Sequence, residues 1–90
     1  MLDKDKGFAF ATSAWYEYVE WQQEDRKTLK KINTLIKDIL RNGVDDGTGK
    51  SEQLKYVKGW SRRIDKYNRL EYTVVDGQLK ILSCKGHYEN

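Results

Sequence analysis

The chain has 90 residues, of which 38% are hydrophobic and 34% charged, and its net charge at pH 7 is +3. This length predicts one domain, residues 1–90, with a thin core. Three Trp, six Tyr and two Phe argue against intrinsic disorder. The basic balance indicates an anionic partner, either a nucleic acid or an acidic protein.

The composition also bears on where the protein acts. The single cysteine, Cys84, cannot form an internal disulfide, which fits a reducing compartment. No apolar run approaches the roughly 20 residues of a membrane span, and the first residues lack the apolar core of a signal peptide. These features predict a cytoplasmic protein that does not interact with the membrane.

The first quarter of the chain predicts a short strand followed by a helix. Residues 1–6 are a polar lead-in that we expect to be flexible, and the apolar run at 7–11 predicts the strand. Thr12 and Ser13 are candidate caps for the helix. Four residues recur at i, i+3, i+4 and i+7, the stripe of an amphipathic helix, with Trp21 beside it: Trp15, Tyr18, Val19 and Gln22.

A second helix is predicted to begin at the charged corner 24–27, where acids precede bases as a helix start prefers. Apolar residues then recur at helical spacing to about Arg41, and Asn42-Gly43 is a helix stop. Four lysines lie largely off the apolar stripe: Lys27, Lys30, Lys31 and Lys37. They indicate either a solvated face or a face that tracks the phosphates of a large RNA.

The remainder of the chain predicts strands. The loop 44–50 contains Gly-x-Gly-Lys but lacks the first glycine, the spacing and the following helix of a Walker A motif. Strands are then predicted near 52–56, 60–64, 69–75 and 79–84. Asp76-Gly77 is a strong signal for a two-residue hairpin. The predicted order β-α-α-β-β-β-β gives an α+β domain, with two N-terminal helices packed on one face of an antiparallel sheet and the other face free.

Positive charge is concentrated between Gly49 and Tyr72, where seven basic residues stand against three acidic ones. Cleavage of RNA without a metal needs a base for the ribose 2′-OH, cations for the phosphorane and an acid for the leaving oxygen. Glu52 is a candidate base, and the only histidine, His87, is a candidate acid. Arg63 and Arg69 offer guanidinium groups that match phosphate oxygens. We find no metal-ligand cluster and expect no cofactor.

Strand register decides whether the two arginines meet. Alternation places Trp60, Arg62 and Ile64 on one face, with Ser61 and Arg63 on the other. A turn with an odd number of residues makes 63 and 69 direct neighbours on one face, whereas a two-residue turn pairs Arg63 with Leu70. The site hypothesis requires the odd turn.

Taken singly, each of these residues also has an ordinary structural interpretation. A histidine near a chain end is usually a surface residue, and Glu52 alone is more often a salt-bridge partner of Lys50 or Lys55. Arg62-Arg63 alone indicates a patch that binds phosphate or a partner. Composition by itself supports a small basic RNA-binding domain and no more.

Six blocks of the sequence together resemble the YoeB/Txe toxins, which belong to the RelE superfamily of bacterial toxin–antitoxin systems. The resemblance covers roughly residues 7–88, and Ser51 and Gln53 stand where prolines are common in the family. The blocks are Trp15-Tyr18-Trp21-Gln22, Lys30-Lys31-Ile32-Asn33-x-Leu35-Ile36-Lys37-Asp38, Gly49-Lys50-x-Glu52-x-Leu54-Lys55, Trp60-Ser61-Arg62-Arg63-Ile64, Asn68-Arg69-Leu70-x-Tyr72 and His87-Tyr88.

The resemblance implies a microbial-RNase-like fold and an mRNA interferase that cuts mRNA in the ribosomal A site. Glu52 resembles the general base, His87 the general acid and Arg69 the arginine that stabilises the transition state. Three further residues match substrate-binding positions: Lys55, Arg63 and Tyr88. Attack by the 2′-OH would leave a 2′,3′-cyclic phosphate.

The resemblance also implies partners. A YefM/Axe-like antitoxin is expected to bind and silence the toxin, and a homodimer is expected to use the aromatic helix face as one contact. The ribosome and mRNA are the expected nucleic-acid partners, and residues 89–90 are expected to be a flexible end. Two alternatives remain: a non-catalytic RNA- or ribosome-binding domain, and a module whose cations serve only an acidic protein partner.

Overall fold

The computed structural model describes residues 2–45 and 51–86. Two helices cover one face of a five-stranded sheet whose strand order is β1-β5-β4-β3-β2. After a one-turn 3₁₀ helix at Lys4–Lys6, the elements are β1 (Phe8–Phe10), α1 (Thr12–Glu24), α2 (Arg26–Asn42), β2 (Glu52–Gln53), β3 (Trp60–Arg63), β4 (Arg69–Val75) and β5 (Gln78–Ser83). The predicted α+β class and element order are confirmed. Strands β2 to β5 pair antiparallel as expected, whereas β1 lies parallel to β5 and makes the sheet mixed.

Helix α1 differs from its prediction at its start and on its buried face. Ala11 occupies the N-cap position without a side-chain cap, so Thr12 and Ser13 do not cap the helix but lie in its first turn. Ala14 and Trp21 are the residues that α1 buries, whereas Trp15 is 47% exposed. Of the predicted stripe, Tyr18 packs against the core, whereas Trp15 and Gln22 are exposed. Cys84, the residue after β5, contacts α1 at Ala14 and Trp21.

Helix α2 follows its prediction closely. Asp25 caps it by accepting hydrogen bonds from the backbone N–H groups of Lys27 (3.0 Å) and Thr28 (3.3 Å). Gly43 follows the last turn with a φ of 105°, a conformation that favours glycine. The apolar side of α2 supplies much of the core: Ile32, Leu35, Ile36 and Ile39. The lysines at 27, 30 and 37 are exposed.

The core lies between α2 and the covered face of the sheet, where β4 and β5 contribute Leu70, Tyr72, Leu79 and Ile81. Asp76 and Gly77 join these two strands, with φ angles of 50° and 83°, as the predicted two-residue hairpin requires. Neither helix among residues 2–45 and 51–86 is long and apolar enough to cross a bilayer. Alternate residues of β2, β3 and β4 point away from the helices, and they form the second face of the sheet.

Candidate active site

Arg63 of β3 and Arg69 of β4 lie directly opposite one another on the second face of the sheet. Five residues, 64–68, connect the two strands, so the turn has the odd number of residues that the site hypothesis requires. Opposed residues of antiparallel strands have Cα atoms about 4.5–5.5 Å apart. Like charges placed this way destabilise a sheet. An anion bound between the two guanidinium groups would offset this repulsion.

Asp65 fixes the conformation of this turn. Its carboxylate accepts hydrogen bonds from the backbone N–H groups of Tyr67 and Asn68, both at 2.8 Å, and from Asn68 Nδ2 at 3.0 Å. The backbone carbonyl of Asp65 accepts a hydrogen bond from Arg69 Nη1 at 3.3 Å. The turn therefore sets the strand register and also restrains the arginine side chain.

Glu52 shares the second face with both arginines. It pairs with Ser61 across β2 and β3, and Ser61 in turn pairs with Glu71 of β4. Directly opposed residues point to the same face, and Arg63 follows Ser61 by two positions on that face. Glu52 and Arg63 are therefore diagonal neighbours, whose Cα atoms are expected to lie roughly 7–8 Å apart. Glu52 is exposed.

Lys55 lies in the loop between β2 and β3 and is exposed. The backbone N–H of Leu54 donates to the carbonyl of Gly59 at 3.0 Å, which closes this loop. A Cβ atom at position 59 would lie 2.6 Å from the carbonyl oxygen of Tyr72, so only glycine fits there. The hairpin therefore holds Lys55 just beyond the end of β2, the strand that begins with Glu52.

His87 and Tyr88 lie outside the described residues. Just before them, the carbonyl of Gly86 accepts a hydrogen bond from the Arg69 backbone N–H at 3.0 Å. The N–H of Gly86 donates to Asn68 Oδ1 at 2.7 Å. The last described residue is therefore bound beside Arg69. No local pattern around Asn68 indicates its role in this contact.

Helix α1 holds the segment that leads to Gly86. Glu17 Oε1 accepts a hydrogen bond from the backbone N–H of Cys84 at 2.8 Å, and Trp21 Nε1 donates to the Cys84 carbonyl at 2.9 Å. Burial raises the pKa of the Cys84 thiol to about 12, so the thiol is neutral at pH 7. Lys85 pairs with Glu20 and Glu24, each at 3.0 Å. These contacts bridge more than 60 residues of sequence, which is why local patterns did not reveal them.

Arg62, the neighbour of Arg63, is not part of this face. Its side chain is completely buried, and it pairs with Asp38 of α2. The interpretation of Arg62-Arg63 as one exposed patch is therefore wrong for Arg62. Strand alternation separates the two side chains, as the sequence predicted.

The second face combines two arginines, the carboxylates of Glu52 and Glu71 and, near the β2–β3 loop, a lysine. Such a surface can bind phosphate groups through its cations and accept a proton at the exposed carboxylate of Glu52. Within residues 2–45 and 51–86, no three His, Cys, Asp or Glu side chains are grouped so that they could hold a metal ion.

Comparisons with known proteins match this chain and its fold to one family. Residues 10–88 match the family model of the YoeB-like toxin of bacterial type II toxin–antitoxin systems. Toxin YoeB of Synechocystis sp. is 49% identical over 83 residues, which cover 90% of this chain and 95% of that toxin.

Two solved structures from Staphylococcus aureus are similar over nearly their whole length. A chain of a YoeB–YefM complex has a TM-score of 0.83 and 44% identity, covering 98% of this chain and 99% of that chain. A YoeB dimer gives a TM-score of 0.83 and 48% identity, covering 90% and 95%. The architecture is thus the RelE-like α+β fold. The chain belongs to the YoeB family of type II toxin–antitoxin toxins.

Proposed function

We propose that this toxin is an endoribonuclease that cuts mRNA in the ribosomal A site and thereby stops translation. The observation that supports the proposal best is the direct opposition of Arg63 and Arg69 on a face that they share with Glu52. Like charges on directly opposed residues destabilise a sheet, and an anion bound beside them would offset the repulsion. A scissile phosphate is such an anion, and the carboxylate needed to activate its ribose lies on the same face.

The proposed reaction is a metal-independent transesterification. Glu52 takes the proton of the ribose 2′-OH, and the 2′-oxygen attacks the phosphorus atom. The bond from phosphorus to the 5′-oxygen breaks, which leaves a 2′,3′-cyclic phosphate, and His87 donates a proton to the departing oxygen. Arg69 stabilises the dianionic phosphorane. Lys55 and Arg63 bind the scissile phosphate or the adjacent backbone, and Tyr88 holds the substrate.

We propose a YefM-type antitoxin as the protein partner, because a similar S. aureus chain comes from a YoeB–YefM complex. An acidic antitoxin segment on the second face would neutralise the same arginines that bind RNA. A homodimer is proposed as a further state, since another similar S. aureus structure is a YoeB dimer.

The experiment that tests the activity combines purified protein, ribosomes and a translated mRNA, with the mRNA ends mapped after the reaction. We expect Glu52→Gln and His87→Ala each to slow cleavage by about 10²–10⁴-fold, because a positioned acid or base contributes that much. Asp5→Asn, which removes an exposed carboxylate at the opposite end of the chain, serves as the matched control and should cleave normally.

Two results would contradict the proposal. Cleavage that persists unchanged in both Glu52→Gln and His87→Ala would exclude these residues as base and acid. Inhibition of translation with intact mRNA ends would instead identify a non-catalytic protein that blocks the ribosome by binding. New ends inside codons, dependent on both residues and on the ribosome, are the expected result.

A further inference from the structure

The carbonyl oxygen of Val44 accepts hydrogen bonds from two hydroxyl groups. One donor is Tyr72 OH on β4. The other is Ser51 Oγ at 3.1 Å, from the residue immediately before Glu52. The Val44 carbonyl therefore connects Ser51, the residue before β2, with Tyr72 of β4, the central strand of the sheet.

The Val44 carbonyl belongs to a buried and well-connected network. Tyr72 is fully buried, and its hydroxyl also accepts a hydrogen bond from Arg62 Nε at 3.0 Å. Arg62 Nη2 donates to the carbonyl of Gly43 at 2.9 Å, and Nη1 pairs with Asp38. Such a network is rigid because movement of one group would leave a buried polar atom without its hydrogen bond, which is costly. The two carbonyls after α2 are thus fixed relative to β3 and β4.

Strand β2 has little of its own to hold it. It consists of Glu52 and Gln53, both exposed, and it lies at the edge of the sheet. Two residue pairs with β3 define its register. Short edge strands fray readily. The bond from Ser51 to Val44 therefore restrains this strand at its N-terminal end, one residue before the carboxylate.

We propose that Ser51 is a positioning residue, which holds Glu52 in register by anchoring β2 to the Arg62–Tyr72 network through the Val44 carbonyl. The inference rests on the proposed role of Glu52 as the general base. Misplacement of a reacting group by about 1 Å costs up to 10²-fold in rate. Loss of a single hydrogen bond that sets this geometry should therefore be visible in the rate of cleavage.

The test measures single-turnover cleavage of mRNA on the ribosome by the full chain. Ser51→Ala removes the hydroxyl and should slow cleavage by about 10-fold, with the apparent affinity for the loaded ribosome unchanged. Ser51→Thr keeps a hydroxyl and should restore the rate. Thr34→Val is the matched control, because Thr34 Oγ1 also donates to a backbone carbonyl (Lys30, 3.0 Å) but lies on the exposed side of α2. We expect it to cleave at the unchanged rate.

A double substitution separates positioning from any general structural effect. In the Glu52→Gln background, Ser51→Ala should cause no further loss, since residues that act as a unit are non-additive. An equal fold-loss in both backgrounds would overturn the inference, and so would an unchanged rate in Ser51→Ala. If Glu52→Gln alone cleaves normally, the proposed base is wrong, and the inference about Ser51 fails with it. That failure is seen in a protein whose Ser51 is unchanged, so it is distinguished from a failure of the Ser51 role itself.

Amide hydrogen exchange provides a readout that does not depend on activity. The Leu54 N–H donates to the Gly59 carbonyl at 3.0 Å just after β2, so its protection reports the closure of this hairpin. Ser51→Ala should accelerate exchange at Leu54, and Thr34→Val should not. Unchanged protection at Leu54 in Ser51→Ala would contradict the anchoring role.

Discussion

Arg62 and Arg63 are adjacent in the sequence but have different structural roles. Arg62 is fully buried and bonded to Asp38, Tyr72 and the Gly43 carbonyl. Arg63 is exposed and lies opposite Arg69. Since successive side chains of a strand point to opposite faces, one arginine connects the sheet to α2 and the next belongs to the candidate active site.

This contrast predicts that substitution of the two arginines changes stability by very different amounts. Arg62→Ala should cost about 3–5 kcal/mol of unfolding free energy, because it leaves the carboxylate of Asp38 without its cation. Arg63→Ala should change stability by no more than about 0.5 kcal/mol, since it removes an exposed side chain with a like-charged neighbour. Urea unfolding followed by tryptophan fluorescence measures both. A cost at Arg63 as large as that at Arg62 would contradict the assignment of the two faces.

The sequence predicted the two faces of β3 but could not predict the register of β4. Alternation from Trp60 to Ile64 depends only on strand geometry. The opposition of Arg63 and Arg69 depends on the length of the turn, which Asp65 determines by accepting backbone and side-chain hydrogen bonds from within it. The sequence was compatible with turns of more than one length, and tertiary context selected one.

At the scale of elements, the two helices differ in how well their sequences predicted them. Helix α2 has a cap, a continuous apolar stripe and a glycine stop, so local signals agree with one another. Helix α1 carries large aromatic residues on several sides, and only part of the predicted stripe is buried. Cys84, just after β5, contacts Trp21 from 63 positions away in the sequence. A contact so distant in sequence leaves no periodic signal.

The cap of α2 makes the stability of this helix depend on pH. Hydrogen bonds from the side chain and backbone of Thr28, and then from Lys27, lower the pKa of Asp25 below its ordinary value of 3.8. A lowered folded-state pKa contributes stability that is present above the unfolded pKa and is lost as pH falls through the folded one. Asp25→Ala should therefore lower the Tm at pH 7, and the difference from the unchanged protein should shrink below about pH 4.

Asp25→Asn is the control for this prediction, because it keeps an oxygen acceptor without the charge. Its Tm at pH 7 should fall between those of the unchanged protein and Asp25→Ala. A Tm difference for Asp25→Ala that stays constant from pH 7 to pH 3 would show that the ionised carboxylate is not the source of the cap's effect.

At the scale of the whole molecule, positive charge lies on two separate surfaces. Arg63 and Arg69 belong to the second face of the sheet, whereas the α2 lysines at 27, 30 and 37 are exposed on the helical side. Composition alone could not distinguish these surfaces, because it reports only the net charge. The roles of His87 and Tyr88 stay predictions from the sequence, because both residues lie outside the part of the chain that the structure describes.

The dependence of RNA binding on salt can determine which surface contacts phosphate. Each phosphate neutralised on single-stranded RNA contributes about −0.7 to the slope of log K against log salt concentration. We expect Arg63→Gln to reduce the steepness of this slope by about 0.7, because its guanidinium faces the proposed phosphate site. Lys30→Gln on α2 should leave the slope unchanged. Both substitutions are made in the Glu52→Gln protein so that the RNA stays intact, and binding is followed by fluorescence anisotropy. A slope that responds to Lys30 but not to Arg63 would place the RNA on the helical side and remove the sheet face from the proposed mechanism.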